Sequence, residues 1–262
     1  MQYRFHALTD PGRLRPNNED AVLFDVSVGL AVLADGMGGY NAGEVASGIV
    51  CSYLQEHFAA WLATAGANAS TRQVRRAMRQ NVNAANQTIM AVAEQQPECQ
   101  GMGTTLVLGV FQPDRVIIGS IGDSRCYRFR GGVLQQLSHD HSVLQEQLDA
   151  GVVTPEMARH APNRNLVTRA LGFPVSGELD TFEHQAESGD IYLFCSDGLS
   201  DMLDDHEISA LIRDALSIET AASSLVAAAN SAGGRDNVSV LLVSSTGEPV
   251  RRSHPLFRWR RG

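Results

Sequence analysis

The sequence contains no lysine; all 21 of its basic residues are arginine. A Schiff-base lysine and a P-loop lysine are therefore excluded, and with them aldolases of that type and Walker-type nucleotide hydrolases. Cysteine is scarce too. Cys51, Cys99, Cys126 and Cys195 form no C-x-x-C pair and no metal-like spacing with histidine. So few cysteines in 262 residues do not make a disulfide scaffold, and Cys126 and Cys195, set in strand-like apolar runs, read as small buried hydrophobes. No apolar run reaches the roughly 18 residues of a membrane span. The first ten residues carry Arg4, His6 and Asp10, with neither an apolar core nor a small-residue cleavage site, so a cytoplasmic protein is expected. Excess positive charge is also missing. The net charge of −8 has the wrong sign for a domain that grips nucleic acid as a whole.

Enough apolar residue is present, at 44%, to bury a sizeable core. Short strand-like runs open the chain at Tyr3–Leu8, Ala21–Val26 and Gly29–Ala34. Ala46, Val50, Leu54, Phe58 and Trp61 then recur at three or four residues and predict one helix. Val74, Met78, Val82, Ala85, Ile89 and Val92 predict a second. Strand candidates follow at Thr104–Phe111, Arg115–Ile121, Arg125–Phe129 and Val133–Leu137, the last two joined by the hairpin signal Gly131-Gly132. After a long gap come Asp180–His184, Ile191–Cys195, two helices and a closing strand at Asn237–Ser244.

Helices grouped apart from strands do not alternate as a doubly wound sheet would. They predict an α+β sandwich, with antiparallel strands inside and helices outside. One domain is expected over residues 1–245, followed by a basic tail at 246–262. Five arginines of that tail fall in the last twelve residues; subtracting them from −8 leaves −13 on the body before them. The tail reads as solvated, with docking to a partner or an anionic surface as the alternative. Residues 138–179 hold Pro155, Pro162 and Pro174 and no strand signal, which suits a lid or binding loop.

The informative residues are acidic, and each stands where a strand gives way to a loop: Glu19-Asp20, Asp35-Gly36, Asp123, Asp197 and Asp236. A single aspartate at a strand end is a common turn residue. Five at the ends of different strands of one sandwich are brought together in space. Gathered carboxylates suit hard cations, Mg²⁺ or Mn²⁺, and the glycine after Asp35 leaves its carbonyl open to a metal. Two such ions can activate water and clamp an oxyanion in phosphoester hydrolysis. Arg15, just ahead of the first acidic pair, suits the phosphate.

These stretches resemble the motifs of the metal-dependent protein phosphatases (PPM, type 2C). Arg15-Pro16-Asn17-Asn18-Glu19-Asp20 is similar to their R-x-x-N-E-D, Asp35-Gly36-Met37-Gly38-Gly39 to D-G-x-G-G and Gly103-Thr104-Thr105 to G-T-T. Gly122-Asp123-Ser124-Arg125 is similar to G-D-S-R, Ser196-Asp197-Gly198-Leu199 to S-D-G-L and Asp236-Asn237 to D-N, all in family order. The resemblance implies a four-layer α-β-β-α sandwich, two central antiparallel sheets flanked by helix pairs. It also implies a bacterial-type enzyme that hydrolyses phosphoserine and phosphothreonine on proteins by attack of a hydroxide bridging two divalent metals. Asp35 would bridge the two ions with the Gly36 carbonyl on one of them. Asp197 and Asp236 would complete the other shell, Glu19 and Asp20 would hold metal-bound waters or touch a metal, and Asp123 would serve a weaker third ion. Arg15 would bind the phosphate, and Ser138–Leu171 would form a flap beside the site. Phosphorylated proteins, a Ser/Thr kinase and its substrates would be the partners of a monomeric, cytoplasmic enzyme, with no nucleic acid and no membrane span.

One position departs from the eukaryotic pattern: Met37 stands where D-G-H-G-G has a histidine that can donate a proton, as it commonly does in bacterial members. A metal-bound water is then the first choice of proton donor, with His139, His141 and His160 of the flap as alternatives. A serine hydrolase lacks its G-x-S-x-G, and Gly101-Met102-Gly103, followed by Thr104-Thr105-Leu106, fails as a dinucleotide fingerprint. A two-metal nuclease is disfavoured by the acidic body. The rival from another class is a catalytically silent pseudophosphatase that binds phosphoproteins, a form that usually lacks one of the aspartates present here.

Overall fold

The computed structural model describes residues 1–38, 42–154, 157, 166–174 and 178–247. Among the described residues, eleven strands form two antiparallel sheets. The first holds β1 (Gln2–Asp10), β11 (Val238–Thr246), β10 (Ile191–Cys195), β7 (Arg125–Arg130) and β8 (Val133–Gln136), side by side in that order. The second runs β2 (Asp20–Asp25), β3 (Leu30–Met37), β5 (Leu106–Phe111), β6 (Arg115–Ile121) and β9 (Asp180–Gln185), with the short β4 (Gly103–Thr104) beside the end of β3.

Successive side chains of a strand point to opposite faces, and the central strands are apolar on both. In β3, Ala31 and Leu33 pack into the layer between the sheets, while Leu30, Val32 and Ala34 face the helices outside. In β11, Leu241 and Val243 face inward and Val238, Val240 and Leu242 outward. Each sheet is therefore covered twice, once by the other sheet and once by helices, which is the four-layer sandwich expected. The helices α1 (Ala42–Tyr53), α2 (Ala59–Ala65) and α3 (Thr71–Gln95) cover the second sheet. The first sheet is covered by α6 (Asp205–Asp214) and α7 (Ile218–Ser231), each opened by a capping box at Asp204 and Ser217. Two shorter helices, α4 (Val143–Asp149) and α5 (Asp197–Ser200), lie in the connections.

Two elements differ from the sequence reading. The first helix is interrupted by a π turn at Leu54–Phe58. Ala46, Val50, Leu54, Phe58 and Leu62 are all buried at a strict spacing of four, which drifts about 40° per step around a 3.6-residue helix. The wider turn rotates the chain back and keeps the stripe on the sheet. The strand expected at Thr104–Phe111 is split at Thr105, for a reason that belongs to the site. Cys126 and Cys195 are wholly buried and unpaired, as apolar filler should be. The tail beyond Gly247, His160 and Gly39 lie outside the described residues.

Candidate metal centre

Antiparallel register brings the acidic strand ends to one end of the sandwich. Asp20 begins β2 and sits opposite Asp35 near the end of β3. Asp123 lies where the chain leaves β6 of one sheet for β7 of the other, while Asp197 follows β10 and Asp236 precedes β11. Together with Arg15, Glu19, Gly36, Met37 and Val167, the carboxylates of Asp35, Asp123, Asp197 and Asp236 line a hollow of about 260 Å³. Asp20 stands behind them, bonded to the Ser196 hydroxyl at 2.9 Å.

The electrostatics of this cluster are unfavourable as it stands. Burial pushes the Asp20 carboxyl up to about 6, against bonds from Ser239 and Ser196. It pushes Asp123 up to about 7, with Asp140 and Asp201 adding repulsion. Asp35 and Asp197 rise well above the usual carboxylate range, first through burial and then through the other aspartates. Glu19 is raised more modestly, by burial opposed by Arg15. The Oδ1 atom of Asp20 is buried without a hydrogen-bond partner. Buried like charges and an orphaned carboxylate oxygen are compensated when a cation shares the site.

Among the described residues, no three His, Cys, Asp or Glu groups close on a point as a finished cage. That does not count against a hard cation. Mg²⁺ and Mn²⁺ retain water in their shells, so their protein ligands stand back around a hollow, and uncompensated carboxylates repel one another. The donor set, all oxygen, fits Mg²⁺ or Mn²⁺ and not zinc held by thiolate or imidazole.

Backbone and hydroxyl groups hold the carboxylates in place. The Thr105 hydroxyl accepts from the Asp35 N–H at 3.1 Å, the Thr105 N–H donates to the Asp35 carbonyl at 2.9 Å, and the Thr104 hydroxyl donates to the same carbonyl at 2.9 Å. This exchange of a ladder bond for side-chain bonds splits β4 from β5. Gly36 is squeezed between backbones: a Cβ there would lie 2.2 Å from the Gly43 carbonyl oxygen and 2.5 Å from that of Glu19. Asn237 accepts from the Glu19 N–H at 2.8 Å and donates to the carbonyls of Pro11 and Asn17, fastening the Arg15 loop to the last strand. Arg15 itself meets Asp236 at 2.7 Å.

The G-T-T, S-D-G-L and D-N motifs by themselves assign no role to Thr104, Thr105, Ser196 and Asn237; their contacts become visible only across strands. Asp201, which stands outside those motifs, adds its charge to Asp123 and Asp197. Its signal in the sequence is its place four residues after Asp197, one helical turn away. In the flap, Asp140 pairs with Arg125 at 2.7 Å. The Nδ1 of His141 accepts from the Gly122 N–H at 3.0 Å and its Nε2 meets Asp180 at 3.0 Å, while His139 meets Asp149 at 2.8 Å. Neither histidine lines the hollow. The flap is fastened by bridges from Ser142 to Val167 and from Thr104 to Leu171, which places Val167 on the hollow's wall.

Residues 15–230 match the family model described as Protein phosphatase 2C. Serine/threonine phosphatase stp of Listeria monocytogenes serovar 1/2a is 37% identical over 238 residues, 90% of this chain and 93% of that one. The crystal structure of the Mycobacterium tuberculosis serine/threonine phosphatase PstP/Ppp superposes with a TM-score of 0.84 at 36% identity, covering 94% of this chain and 100% of the other. A catalytic domain of PstP in complex with two manganese ions gives 0.82 at 36% identity, over 94% and 99%.

Proposed function

This chain belongs to the protein phosphatase 2C family, and on that premise we propose that the carboxylate-lined hollow and Arg15 are the site at which it dephosphorylates proteins. It is a serine/threonine protein phosphatase that depends on divalent metal ions. One observation carries the assignment of the site: four aspartates with raised carboxyls share one end of the sandwich, and one of them has a buried oxygen with no partner. In this reading Asp35, the Gly36 carbonyl, Asp197 and Asp236 hold two ions, Asp123 serves a third and weaker one, and Glu19 and Asp20 support the shell. Mn²⁺ and Mg²⁺ both suit these donors. The bound cations supply Lewis acidity, lowering the pKa of water and offsetting the charge of a phosphoryl group.

The chain's own groups do the rest. Thr104 and Thr105 fix the backbone of Asp35 at the wall of the hollow. Arg15 supplies a planar, permanently charged fork for two phosphoryl oxygens. Its bond to Asp236 holds the guanidinium at the rim of the hollow, where the side chain stays half-exposed and within reach of a phosphoryl group. Val167 and Met37 give the hollow an apolar flank that carries no proton. The overall change is hydrolysis: a phosphomonoester and water give a serine or threonine hydroxyl and inorganic phosphate.

Phosphorylated proteins are the substrates, and a Ser/Thr kinase with its targets is the expected counterpart. No helix among the described residues is long and apolar enough to cross a membrane, and four free buried cysteines accord with a reducing compartment such as the cytoplasm. A monomer is the expected state. The test is hydrolysis of a phosphothreonine peptide by metal-stripped protein, with and without millimolar Mn²⁺, beside Asp236→Asn. Turnover that needs Mn²⁺ and is lost in the variant supports the site; no turnover by folded, Mn²⁺-loaded protein turns the reading to a phosphoprotein-binding module.

A further inference from the structure

The N-terminal half of α3 carries Arg72, Arg75, Arg76 and Arg79; Arg72, Arg76 and Arg79 fall on the exposed side of the helix, away from Val74 and Met78 in the core, and Arg75 sits half-buried at the border of that side. They line an open groove of about 550 Å³ together with Thr71, Gln80, Asn83 and Glu183. Glu183 belongs to β9, the edge strand of its sheet. The groove therefore has an arginine wall and an edge-strand wall.

Among the described residues, Glu183 alone in the groove offsets this charge. The first turn of α3 has no acidic residue, and cations near a helix N-terminus face the positive end of the macrodipole. Arg75 reaches Glu183 only at 4.0 Å, and its Nε is buried without a hydrogen-bond partner. Glu183 is already engaged by the Thr71 hydroxyl at 2.9 Å and by Arg115 at 3.7 Å. Among the described residues, Arg72, Arg76 and Arg79 meet no carboxylate within ion-pair distance, although the chain as a whole is acidic at −8.

We propose that this groove docks an extended acidic segment of the phosphoprotein substrate, away from the phosphorylated residue. Three guanidinium groups that meet no carboxylate among the described residues, beside Arg75 on Glu183, call for carboxylates. From Arg72 to Arg79 is about 10.5 Å along the helix, the reach of about three residues of extended chain. An edge strand alongside offers main-chain pairing to such a segment. A concave groove in an acidic body disfavours a flat bilayer or a DNA duplex, both of which need a broad basic surface. The inference rests on the reading of the chain as a protein phosphatase for the identity of the partner, though not for the docking itself.

Two measurements separate docking from catalysis. The first is fluorescence anisotropy of a labelled, unphosphorylated Glu-rich peptide with the full chain. The second compares kcat/KM for a phosphothreonine peptide with and without that Glu-rich extension. The expected result is binding that weakens at 1 M salt, and about tenfold higher kcat/KM for the extended substrate, carried by KM. The triple variant Arg72→Ala, Arg76→Ala, Arg79→Ala should lose both effects and keep its rate on the short peptide, while the triple Arg→Lys variant retains them. Equal kcat/KM for the two substrates, unchanged peptide binding by the alanine variant, or tighter binding of anionic vesicles or duplex DNA through the same arginines would each overturn the proposal. If no phosphopeptide turns over, the anisotropy measurement still decides whether the groove takes an acidic segment.

Discussion

Asp123 offers a test of the electrostatic argument that does not depend on activity. Its carboxyl is displaced by burial, and secondarily by Asp140, from an ordinary 3.8 to about 7. The folded protein thus binds this proton more tightly than the unfolded chain does. The associated stability is fully present below pH 3.8 and is lost as pH rises through about 7. At about 1.4 kcal/mol per pKa unit, the ionised carboxylate costs about 4 kcal/mol at pH 8 as a ceiling. Sharing of the repulsion with the other aspartates brings the expected figure to about 2 kcal/mol. Asp123→Asn removes the charge and keeps the shape. In EDTA at pH 8 the variant should be more stable than the wild type by about 2 kcal/mol, or some 4–8 °C in Tm, and the advantage should vanish by pH 4. Urea unfolding followed by far-UV circular dichroism at the two pH values measures it. Manganese should narrow the gap at pH 8 by stabilising the wild type more. A variant that is no more stable than wild type at pH 8, or whose advantage is the same at both pH values, would refute the claim that the cluster is held against its own repulsion.

Asp35→Asn should abolish Mn²⁺-dependent turnover of a phosphothreonine peptide while the circular dichroism spectrum stays native, since its backbone bonds to Thr104 and Thr105 survive. Gly12→Ala should lower both stability and activity: Gly12 has φ +82°, and a Cβ there would lie 2.2 Å from the Asp236 carbonyl oxygen. A melting curve and a Mn²⁺ titration should move together. His141→Gln should raise KM several-fold with little change in kcat, because the ring fastens the flap to Gly122 and does not face the hollow; collapse of kcat with an altered pH profile would instead make it a proton donor. Deleting residues 247–262 should leave turnover of a small phosphoester unchanged, and a large loss would show that the tail packs on the domain.

How far the sequence could be read follows from what each signal encodes. Helices grouped apart from strands announce a sandwich with strands inside, and the four-layer order followed from the family resemblance; strands buried on both faces, such as Leu30–Ala34, show in the structure why each sheet is covered twice. The acidic strand ends were legible because antiparallel strands bring alternate ends together whatever the exact register. The π turn at Leu54–Phe58 was hidden because spacings of four satisfy a helical pattern locally, and their drift shows only against a fixed sheet. The break at Thr105 was hidden because a hydroxyl that replaces a carbonyl in the ladder leaves no trace in hydropathy.

By itself, then, the sequence determined the layers, the strand ends that carry the carboxylates and the chemistry those oxygen donors suit, since these depend on local period and residue type. Tertiary structure alone decided which groups hold those carboxylates and at what electrostatic cost. Ser196 on Asp20, Thr105 on Asp35, Asn237 on Glu19 and Arg15 on Asp236 are partners 70 to 221 residues apart. Burial and mutual repulsion arise only once such distant segments share one volume.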